Sequence, residues 1–329
     1  HMVSPIELPD VAESLAGRTC LVTGGAGFIG SHLVDALLAQ DARVRVLDNF
    51  STGFESNLEH VRDRPDVEIV RGDASEQSVT DEATKGCDTI FHLAAMASVP
   101  RSIREPALCH AWCATSTVNL LASAQQAGVR RMVLSSTSAV YGDSPFVSKR
   151  EIDQPAPLSP YAASKLAAES YMQSFARTTE IETVILRYFN VFGPRQDPQS
   201  EYSAVIPRFV SMILTGERPV IYGDGNQSRD FVYVRDVAKA NLLAATVPSA
   251  SGGTFNIARG ERTTLIGQLS ALREILGQDI EPIHDPPRFG DIRDSLADIN
   301  EARTKLLFEP DVEMHQGLEL SVDYYRSLC

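Results

Sequence analysis

Three glycines at intervals of three residues, directly after a short apolar run, constrain the fold of this chain more than any other feature. The run covers residues 20–22, the glycines are Gly24, Gly27 and Gly30, and residues 28–39 have helical periodicity. The first glycine allows a tight strand-to-helix turn, the second lets the backbone approach a pyrophosphate, and the third lets the helix pack closely against the strand. Because the start of such a helix presents unpaired N–H groups to phosphate charge, the segment predicts a dinucleotide-binding βα unit.

An acidic residue ends the next predicted strand. Asp48 follows the strand-like segment 43–47, where a dinucleotide-binding unit carries its ribose-binding acid. A carboxylate at this place accepts hydrogen bonds from both adenosine ribose hydroxyls and repels a 2′-phosphate. The pattern therefore predicts NAD rather than NADP, although the glycines alone are also compatible with an ordinary surface turn.

Charge and cysteine usage argue against several classes of protein. The 329 residues carry a formal net charge of −13 with scattered basic residues, so neither nucleic acid nor an anionic membrane is an expected partner. No run approaches the roughly twenty apolar residues of a membrane-spanning helix. The cysteines form no CxxC pair and never cluster with histidines at zinc spacing. We expect a reduced, cytoplasmic protein without a metal site.

Strand-like runs alternate with helical patterns through the first half of the chain. We predict strands at residues 18–23, 43–47, 67–70, 88–93, 130–136 and 182–187. We predict helices at residues 28–40, 55–63, 76–84, 104–127, 159–178 and 263–277. This alternation implies βαβ crossovers, and hence an α/β fold with a Rossmann-type doubly wound parallel sheet.

From about residue 190, short segments between prolines and glycines replace this alternation. We therefore expect an NAD-binding Rossmann domain over residues 17–189, to which the chain returns at about 231–259. A smaller C-terminal α/β lobe, made of residues 190–230 and 260–329, is expected to cover its cleft.

A tyrosine and a lysine four residues apart mark a candidate reaction centre. Tyr161 and Lys165 share one face of a predicted helix. A nearby ammonium, together with the positive end of a nicotinamide, would lower the tyrosine pKa toward the working pH. Upstream, an apolar strand ends in the four hydroxyl residues 135–138, at the sheet edge where ligands bind in such folds. Each feature alone is compatible with a solvated surface, but together they predict an active site.

On these motifs the chain resembles the extended short-chain dehydrogenase/reductase family, and within it the nucleotide-sugar 4-epimerases. The resemblance covers residues 17–325 and rests on segments 23–30, 73–74, 92–95, 187–193, 223–225 and 229–231, with Tyr161 and Lys165. It implies NAD as cofactor, a UDP-sugar as substrate, a nucleotide-sugar-binding C-terminal lobe, and a homodimer formed through the helices at 104–127 and 159–178.

The resemblance also implies roles for individual residues. Tyr161 matches the base that takes the proton of the sugar 4-hydroxyl, Lys165 matches the residue that binds the nicotinamide ribose, and Thr137 matches the hydroxyl that binds the reacting oxygen. The implied cofactor contacts are Gly24, Gly27, Phe28, Ile29, Gly30, Asp48, Asn49, Ser51, Thr52, Gly53, Asp73, Ala74, Leu93, Ala94, Ala95, Tyr161, Lys165 and Tyr188. The implied substrate contacts are Ser98, Thr137, Ser138, Asn190, Gln196, Ala204, Val205, Arg229, Arg288, Asp291 and Ser295. One departure lies near the nicotinamide, where the family usually has an Asn and this chain has Cys113.

The residues after Thr137 discriminate between the reactions that share this scaffold. Similar dehydratases carry Asp-Glu directly after the strand-end Thr, and similar decarboxylases keep a Glu two residues after it, whereas this chain has Ser138 and Ala139. Without a further acid–base group, 4-epimerisation is favoured: a 4-keto intermediate rotates and takes the same hydride back on its other face. Because net redox change is zero, we expect NAD to stay bound through turnover.

A small residue in the C-terminal signature bears on the sugar. Epimerases that reject N-acetylated sugars tend to carry a bulky Tyr where this chain has Ser295, so the resemblance favours UDP-GlcNAc and UDP-GalNAc, with Ser138, Gln196 and Ala204 on the acetamido side. Space permits a substrate without selecting it. Two alternatives therefore stay open: 4-epimerisation of UDP-glucose or a UDP-hexuronic acid, and a non-catalytic NAD- or nucleotide-sugar-binding sensor on the same fold.

Overall fold

A sheet of seven parallel strands lies at the centre of the part of the chain that the structure describes. The structure is a computed structural model and describes residues 4–198, 205–287 and 294–327. In chain order the strands are β1 (Thr19–Thr23), β2 (Arg43–Asp48), β3 (Val67–Arg71), β4 (Thr89–His92), β5 (Arg131–Thr137), β6 (Ser148–Lys149), β7 (Glu182–Tyr188), β8 (Asn190–Phe192), β9 (Val220–Tyr222), β10 (Ser228–Arg229), β11 (Phe231–Tyr233), β12 (Thr254–Ile257), β13 (Thr263–Thr264), β14 (Ile283–Asp285) and β15 (Leu296–Ala297). The order across the central sheet is β12-β7-β5-β4-β1-β2-β3. The predicted Rossmann-type doubly wound sheet is thereby confirmed.

Helices cover both faces of this sheet. In chain order the α-helices are α1 (Phe28–Leu38), α2 (Gln77–Ala83), α3 (Val99–Arg104), α4 (Pro106–His110), α5 (Ser116–Ala127), α6 (Pro160–Thr178), α7 (Val205–Leu214), α8 (Val234–Thr246), α9 (Leu265–Leu276) and α10 (Met314–Arg326). Short 3-10 turns occur at Glu55–Asn57, Ser138–Tyr141 and Pro248–Ala250, and π-helical turns at Ala111–Thr115 and Ala302–Leu306. Within the described residues, no helix combines the length and the apolar character needed to cross a membrane.

Each of the six predicted strands is present within one residue of its predicted ends. The further strand of the sheet, β12, and the helix α8 both come from residues within the predicted return at 231–259. The predicted helices at 28–40, 76–84, 159–178 and 263–277 correspond to α1, α2, α6 and α9.

The helix predicted at 55–63 is wrong, because only a short 3-10 turn forms there. Leu58 and Val61 are buried as the pattern requires. They lie in successive tight turns, in which the N–H of Val61 donates to the carbonyl of Leu58 (3.0 Å). The side-chain amide of Asn57 donates to the carbonyl of Ala26 (2.9 Å), which ties the segment to the glycine turn.

The helix predicted at 104–127 is present from Pro106 to Ala127, where α4, a π-helical turn and α5 follow one another without a break, and α3 precedes it. Glu105 has non-helical backbone angles, and Pro106 begins α4 without an N–H to donate. The π-helical turn Ala111–Thr115 follows, a feature that is frequent at functional sites. Its residues include Trp112 and Cys113.

Successive residues of each central strand enter different hydrophobic clusters on the two faces of the sheet. On β5, Val133 packs in the cluster that contains residues of α1 and α8, whereas Met132 and Leu134 pack in the cluster that contains residues of α5 and α6. A third cluster joins residues of α7, α9 and α10 with Phe192 and Phe231. Beside this third cluster, the short strands pair as β8 with β11 and β9 with β14.

A buried ion pair fixes α6 against the sheet. The Glu169 carboxylate on α6 accepts hydrogen bonds from Nε (3.0 Å) and Nη2 (2.7 Å) of Arg187 on β7, and both side chains are almost fully buried. The Ser136 hydroxyl on β5 donates to the same carboxylate (2.5 Å). The guanidinium also lies 4.8 Å from the centroid of the Tyr141 ring. Because α6 carries the predicted reaction centre, this pair orients that centre relative to β5.

We expect Glu169→Gln to destabilise the protein strongly, because the substitution keeps the shape of the side chain and leaves Arg187 buried without a counter-charge. Breaking one partner of a buried pair lowers the free energy of unfolding by about 3–5 kcal/mol, which urea denaturation would measure. The matched control is Glu180→Gln, at an exposed position just beyond the same helix. A loss at Glu169 no larger than at the control would contradict the assigned role of the pair.

Candidate active site

Two neighbouring segments of the backbone approach the glycine turn after β1 closely. Gly24 has φ +69°, a conformation that favours glycine, and a Cβ atom there would lie 2.7 Å from the backbone nitrogen of Ala94. A Cβ atom on Gly30 would collide with the carbonyl oxygen of Gly24. The loop after β4 and the first turn of α1 therefore both approach the turn more closely than a side chain would allow.

The N-terminus of α1 has no capping side chain and no acidic residue in its first turn. The first backbone hydrogen bond of the helix joins the N–H of Ser31 to the carbonyl of Gly27 (3.0 Å). The N–H groups of residues 28–30 precede this bond and have no intrahelical acceptor. Together with the positive end of the helix dipole, they suit phosphate charge.

Asp48 ends β2 beside this turn. Its carboxylate accepts the N–H groups of Ala26 (2.9 Å) and Phe50 (2.8 Å), one on each oxygen. Burial raises the pKa of Asp48, and the two backbone N–H groups oppose that rise. Each carboxylate oxygen retains further acceptor capacity, so the geometry leaves Asp48 able to bind ribose hydroxyls.

A buried histidine joins the carboxyl ends of β1 and β4. The ring nitrogens of His92 lie 2.7 Å from the Thr23 hydroxyl and 3.1 Å from the Ser116 hydroxyl. The Thr23 hydroxyl also accepts the N–H of Ala94 (3.1 Å). Burial, supported by the charge of Lys165, lowers the pKa of His92 to about 3, so the ring is neutral and its role is to hold the two strand ends together.

A cavity of about 720 Å³ follows the carboxyl ends of β1, β2, β4 and β5. Its wall contains every residue that we predict to contact the cofactor: Gly24, Gly27, Phe28, Ile29, Gly30, Asp48, Asn49, Ser51, Thr52, Gly53, Asp73, Ala74, Leu93, Ala94, Ala95, Tyr161, Lys165 and Tyr188. Two predicted substrate contacts, Ser98 and Gln196, also lie in the wall.

Thr137, Tyr161 and Lys165 meet where β5 ends. Thr137 is the last residue of β5; its hydroxyl accepts the N–H of Ala139 (3.1 Å) and forms a hydrogen bond with Tyr161. Lys165, one helical turn after Tyr161, is 2% exposed and donates to the carbonyl of Ser135 (2.8 Å). The arrangement holds two hydroxyl groups beside each other, where both can contact one substrate oxygen.

The protein's own groups, without a nicotinamide, raise the pKa of Tyr161. The lowering that the sequence predicts includes the nicotinamide charge and stays a prediction. Burial raises the pKa of Tyr161, charge on Cys113 raises it further, and the hydrogen bond with Thr137 opposes the rise. Burial likewise lowers the pKa of Lys165. Among the protein's own groups, burial is therefore the main influence on the pKa of Tyr161.

Cys113 packs with Cys109 and Met96 against Tyr161. A hydrogen bond between the two thiols lowers the pKa of Cys113 and raises that of Cys109. Burial opposes the lowering at Cys113, and the Lys165 ammonium supports it. Negative charge on Cys113 would raise the pKa of Tyr161, whereas the family's usual Asn is neutral.

The remaining predicted substrate contacts fall outside the cavity wall or outside the described residues. Those that the structure describes outside the wall are Thr137, Ser138, Asn190, Val205, Arg229 and Ser295. Ala204, Arg288 and Asp291 lie outside the described residues.

Three of these residues share one region. Asn190 begins β8, which pairs with β11, and Arg229 ends β10, which a single residue separates from β11. The N–H of Ser295 donates to the carbonyl of Ser228, the neighbour of Arg229 (3.1 Å). The pairing of short strands thus gathers positions that are far apart in the sequence.

The side chain of Gln196 contains a buried acceptor atom to which no described group donates a hydrogen bond. Its side-chain nitrogen donates to the carbonyl of Val191 (3.2 Å), which fixes the orientation of the amide. The other side-chain atom, Oε1, is buried and has no hydrogen-bond partner in the part of the chain that the structure describes. A buried acceptor of this kind favours a ligand that supplies an N–H or O–H group.

The cavity wall also contains residues that we did not predict as contacts. They are Leu47, Phe50, Phe54, Gly72, Met96, Ala97, Arg101, Trp112, Ser116, Ser135, Ser136 and Asp197. Neighbouring motifs signal some of them, since Phe50 follows Asp48 closely and Ser135 belongs to the hydroxyl run. Arg101 lies on α3, before the predicted helix, and Trp112 lies in the π-helical turn within it, a turn that the helical pattern did not show.

These features fit NAD. The uncapped N-terminus of α1 suits a pyrophosphate, Asp48 suits ribose hydroxyls, and Tyr161 with Lys165 lies at the other end of the same cavity. No group of three or more His, Cys, Asp or Glu side chains that could hold a metal ion occurs among the described residues.

Comparisons with known proteins agree with this geometry. Residues 20–258 match the NAD dependent epimerase/dehydratase family. The chain is 38% identical to a UDP-glucose 4-epimerase of Mycolicibacterium smegmatis over 93% of this chain and 98% of that protein. It is similar to a solved UDP-N-acetylglucosamine 4-epimerase of Methanobrevibacter ruminantium, in complex with UDP-N-acetylmuramic acid, with 41% identity, a TM-score of 0.91 and coverage of 95% and 100%. It is also similar to a UDP-glucose 4-epimerase of Thermotoga maritima solved with UDP-glucose, with 39% identity, a TM-score of 0.89 and coverage of 94% and 99%.

The chain therefore belongs to the NAD dependent epimerase/dehydratase family. The resemblance to nucleotide-sugar 4-epimerases that the sequence motifs indicated is confirmed, and so is the assignment of NAD as cofactor.

Tyr161→Phe should lower turnover by about 10²–10⁴-fold, because it removes the group that exchanges the substrate proton. The fold and the content of bound NAD should stay unchanged. Tyr171→Phe is the matched control, since this second tyrosine of α6 is 46% exposed. Near-normal turnover in Tyr161→Phe would refute the assignment of the base.

Cys113→Ser should move the acid limb of the kcat–pH profile toward lower pH. Serine stays neutral, so a negative charge that raises the pKa of Tyr161 is lost. A base with a lower pKa is deprotonated at lower pH, which fixes the sign. Cys87→Ser, at a thiol that donates to the Ala83 carbonyl beside α2, controls for loss of a cysteine elsewhere. An unmoved limb, or one displaced upward, would contradict this interpretation.

Proposed function

We propose that this protein is a 4-epimerase that interconverts UDP-GlcNAc and UDP-GalNAc through a transient 4-keto sugar. The observation that carries the proposal is the hydrogen-bonded Thr137–Tyr161 pair at the end of β5, with Ser138 and Ala139 rather than carboxylates after it. A proton acceptor for one hydroxyl is sufficient for epimerisation, whereas dehydration and decarboxylation require a further acid–base group.

The protein's own residues have distinct tasks in this reaction. Thr137 holds the sugar 4-oxygen, Tyr161 takes its proton and later returns it, and Lys165 binds the nicotinamide ribose. NAD, when bound, supplies a reversible hydride acceptor that ends each turnover in its starting form. Asp48 and Asp73, two of the three carboxylates in the described cavity wall, belong to the adenosine side and take no part in the proton transfer; Asp197 is the third.

The preference for an N-acetylated sugar is supported by Gln196. Its unpaired Oε1 atom calls for a donor, and the N–H of a 2-acetamido group is one. A hexose hydroxyl is another, so this acceptor supports the proposal without excluding plain hexoses. The likeness to the Methanobrevibacter ruminantium enzyme adds support.

We also propose that Ser295 leaves room for the acetamido group during rotation, and that Asn190 and Arg229 contact the nucleotide diphosphate. Guanidinium groups pair with phosphate oxygens in a bidentate manner, which suits Arg229 for this task. On this proposal the nucleotide-sugar lobe comprises residues 190–230 and 260–329, and two copies of the chain form the homodimer.

The alternative substrates are UDP-glucose and a UDP-hexuronic acid. The relatives from Mycolicibacterium smegmatis and Thermotoga maritima favour UDP-glucose equally well by identity. A non-catalytic sensor is less well supported, because Thr137, Tyr161 and Lys165 are brought together as a reaction centre requires.

Incubation of the purified protein with single UDP-sugars, without added cofactor, tests the proposal. We expect proton NMR to show the UDP-GalNAc anomeric signal growing from UDP-GlcNAc, at a rate about tenfold above conversion of UDP-glucose. Conversion of UDP-glucose or UDP-glucuronic acid alone would transfer the assignment to that alternative. Inactivity toward all three, with NAD supplied, would favour the sensor.

Ser295→Tyr provides the control within the same assay. A bulky ring should suppress conversion of UDP-GlcNAc more than any conversion of UDP-glucose, because only the acetamido group needs the space. Equal losses on both sugars would refute the role of Ser295 and leave epimerisation itself untouched.

A further inference from the structure

The cavity wall contains the only tryptophan of the sequence. Trp112 lies in the π-helical turn between α4 and α5, is half-buried, and lines the cavity. Neither the sequence motifs nor the proposed reaction uses it. Its contacts show which end of the cavity it belongs to.

The indole N–H is directed at the adenosine end. Trp112 Nε1 donates to Asp73 Oδ2 (2.9 Å), and the side-chain amide of Asn49, the residue after Asp48, donates to the same oxygen (3.3 Å). Ser75 donates its N–H (2.8 Å) and its hydroxyl (2.7 Å) to Asp73 Oδ1. Burial of the Asp73 carboxyl is outweighed by these hydrogen bonds, which hold its pKa below the ordinary value. The indole therefore donates to an ionised carboxylate, a strong type of hydrogen bond.

The face of the indole ring contacts a cation. The Arg101 guanidinium lies 5.1 Å from the centroid of the Trp112 ring, within the range of a cation–π interaction. Arg101 is itself held by Glu105, whose carboxylate accepts from Nε (2.6 Å). At the start of α3, the Ser98 hydroxyl accepts the N–H of Arg101 (3.1 Å), which also fixes its backbone.

The two contacts leave the indole little freedom. Its positive N–H edge faces an anion and its negative ring face lies under a cation, so both contacts match the charge distribution of the ring. Asp73, Trp112 and Arg101 all line the cavity, yet they come from the loop after β3, the π-helical turn and α3. The indole thus presents a fixed aromatic side chain to this end of the cavity.

We propose that Trp112, held between Asp73 and Arg101, forms a wall of the adenosine subsite that slows the release of NAD. An epimerase gains from such a residue, because its cofactor ends each turnover unchanged and need not be exchanged. The inference rests on the use of NAD and not on the identity of the sugar.

The test measures NAD retention without any sugar. Holoprotein is passed into NAD-free buffer, and the NAD remaining on the protein is quantified over time after denaturation. Trp112→Ala should release NAD about tenfold faster than the unaltered protein, and Trp112→Phe, which keeps a ring but loses the N–H, should also release it faster. Tyr171→Phe, at an exposed aromatic position of α6, should match the unaltered protein. Release from either Trp112 variant at the control rate would overturn the proposal.

A second measurement needs no variant, so it stands even if a substitution impairs folding. Because Trp112 is the only tryptophan, its emission reports this subsite alone. When the NAD-stripped protein is titrated with NAD, the Trp112 emission should change and then reach a plateau. An emission that does not change on addition of NAD would overturn the proposal. A protein that passes both tests but converts no UDP-sugar would refute the proposed function and leave this inference standing.

Discussion

The buried pair between Glu169 and Arg187 is the interaction on which the active-site geometry depends. Tyr161, Lys165 and Glu169 follow one another at intervals of four residues, so they lie along one face of α6. The ion pair clamps that face to β7, and the Ser136 hydroxyl clamps it to β5. Burying two charges is costly and adds little net stability by itself. The ion pair instead fixes the orientation of α6, because only one rotation of the helix about its axis satisfies the pair. That rotation brings Tyr161 to the Thr137 hydroxyl at the end of β5.

The order of the strands in the central sheet determines the position of the cavity. The chain builds β1, β2 and β3 toward one edge and then crosses back, so that β4 pairs with β1 on the other side. Ligands in such sheets occupy the crevice at this reversal. Here the crevice is narrowed by Gly24, which lets Ala94 approach, and by His92, which ties the strand ends through Thr23. Adenosine-side and reaction-side residues therefore share one continuous wall, although they come from opposite halves of the sheet.

The sequence predicted those parts of the structure that depend on residues close together in the chain. The strands are short apolar runs between polar turns, and the glycine turn is set by backbone geometry, so both could be read from sequence. The segment at 55–63 could not, because its apolar spacing serves buried turns tied to Ala26 rather than a helix. Likewise, Asp73 could be predicted as a cofactor contact, but its bond to Trp112 depends on the π-helical turn within an apparently continuous helical pattern. Of the predicted substrate contacts, Ser98 and Gln196 lie in the wall, and Ala204, Arg288 and Asp291 fall outside the described residues. The other six are described but lie outside the wall.

The pKa of Tyr161 links proton chemistry to cofactor retention. Burial and the charge of Cys113 both stabilise the protonated phenol, and the hydrogen bond with Thr137 offsets them only in part. The protein's own groups therefore keep Tyr161 protonated, so little of the phenolate base is present. A positive nicotinamide beside the phenol acts in the opposite direction, since an opposite charge nearby stabilises the phenolate. Loss of NAD would then remove the hydride acceptor and also lower the fraction of Tyr161 present as phenolate. Some residues at the adenosine end lie far from the reacting atoms but slow the release of NAD. By keeping NAD bound, they would also keep Tyr161 in the deprotonated form on which the reaction depends.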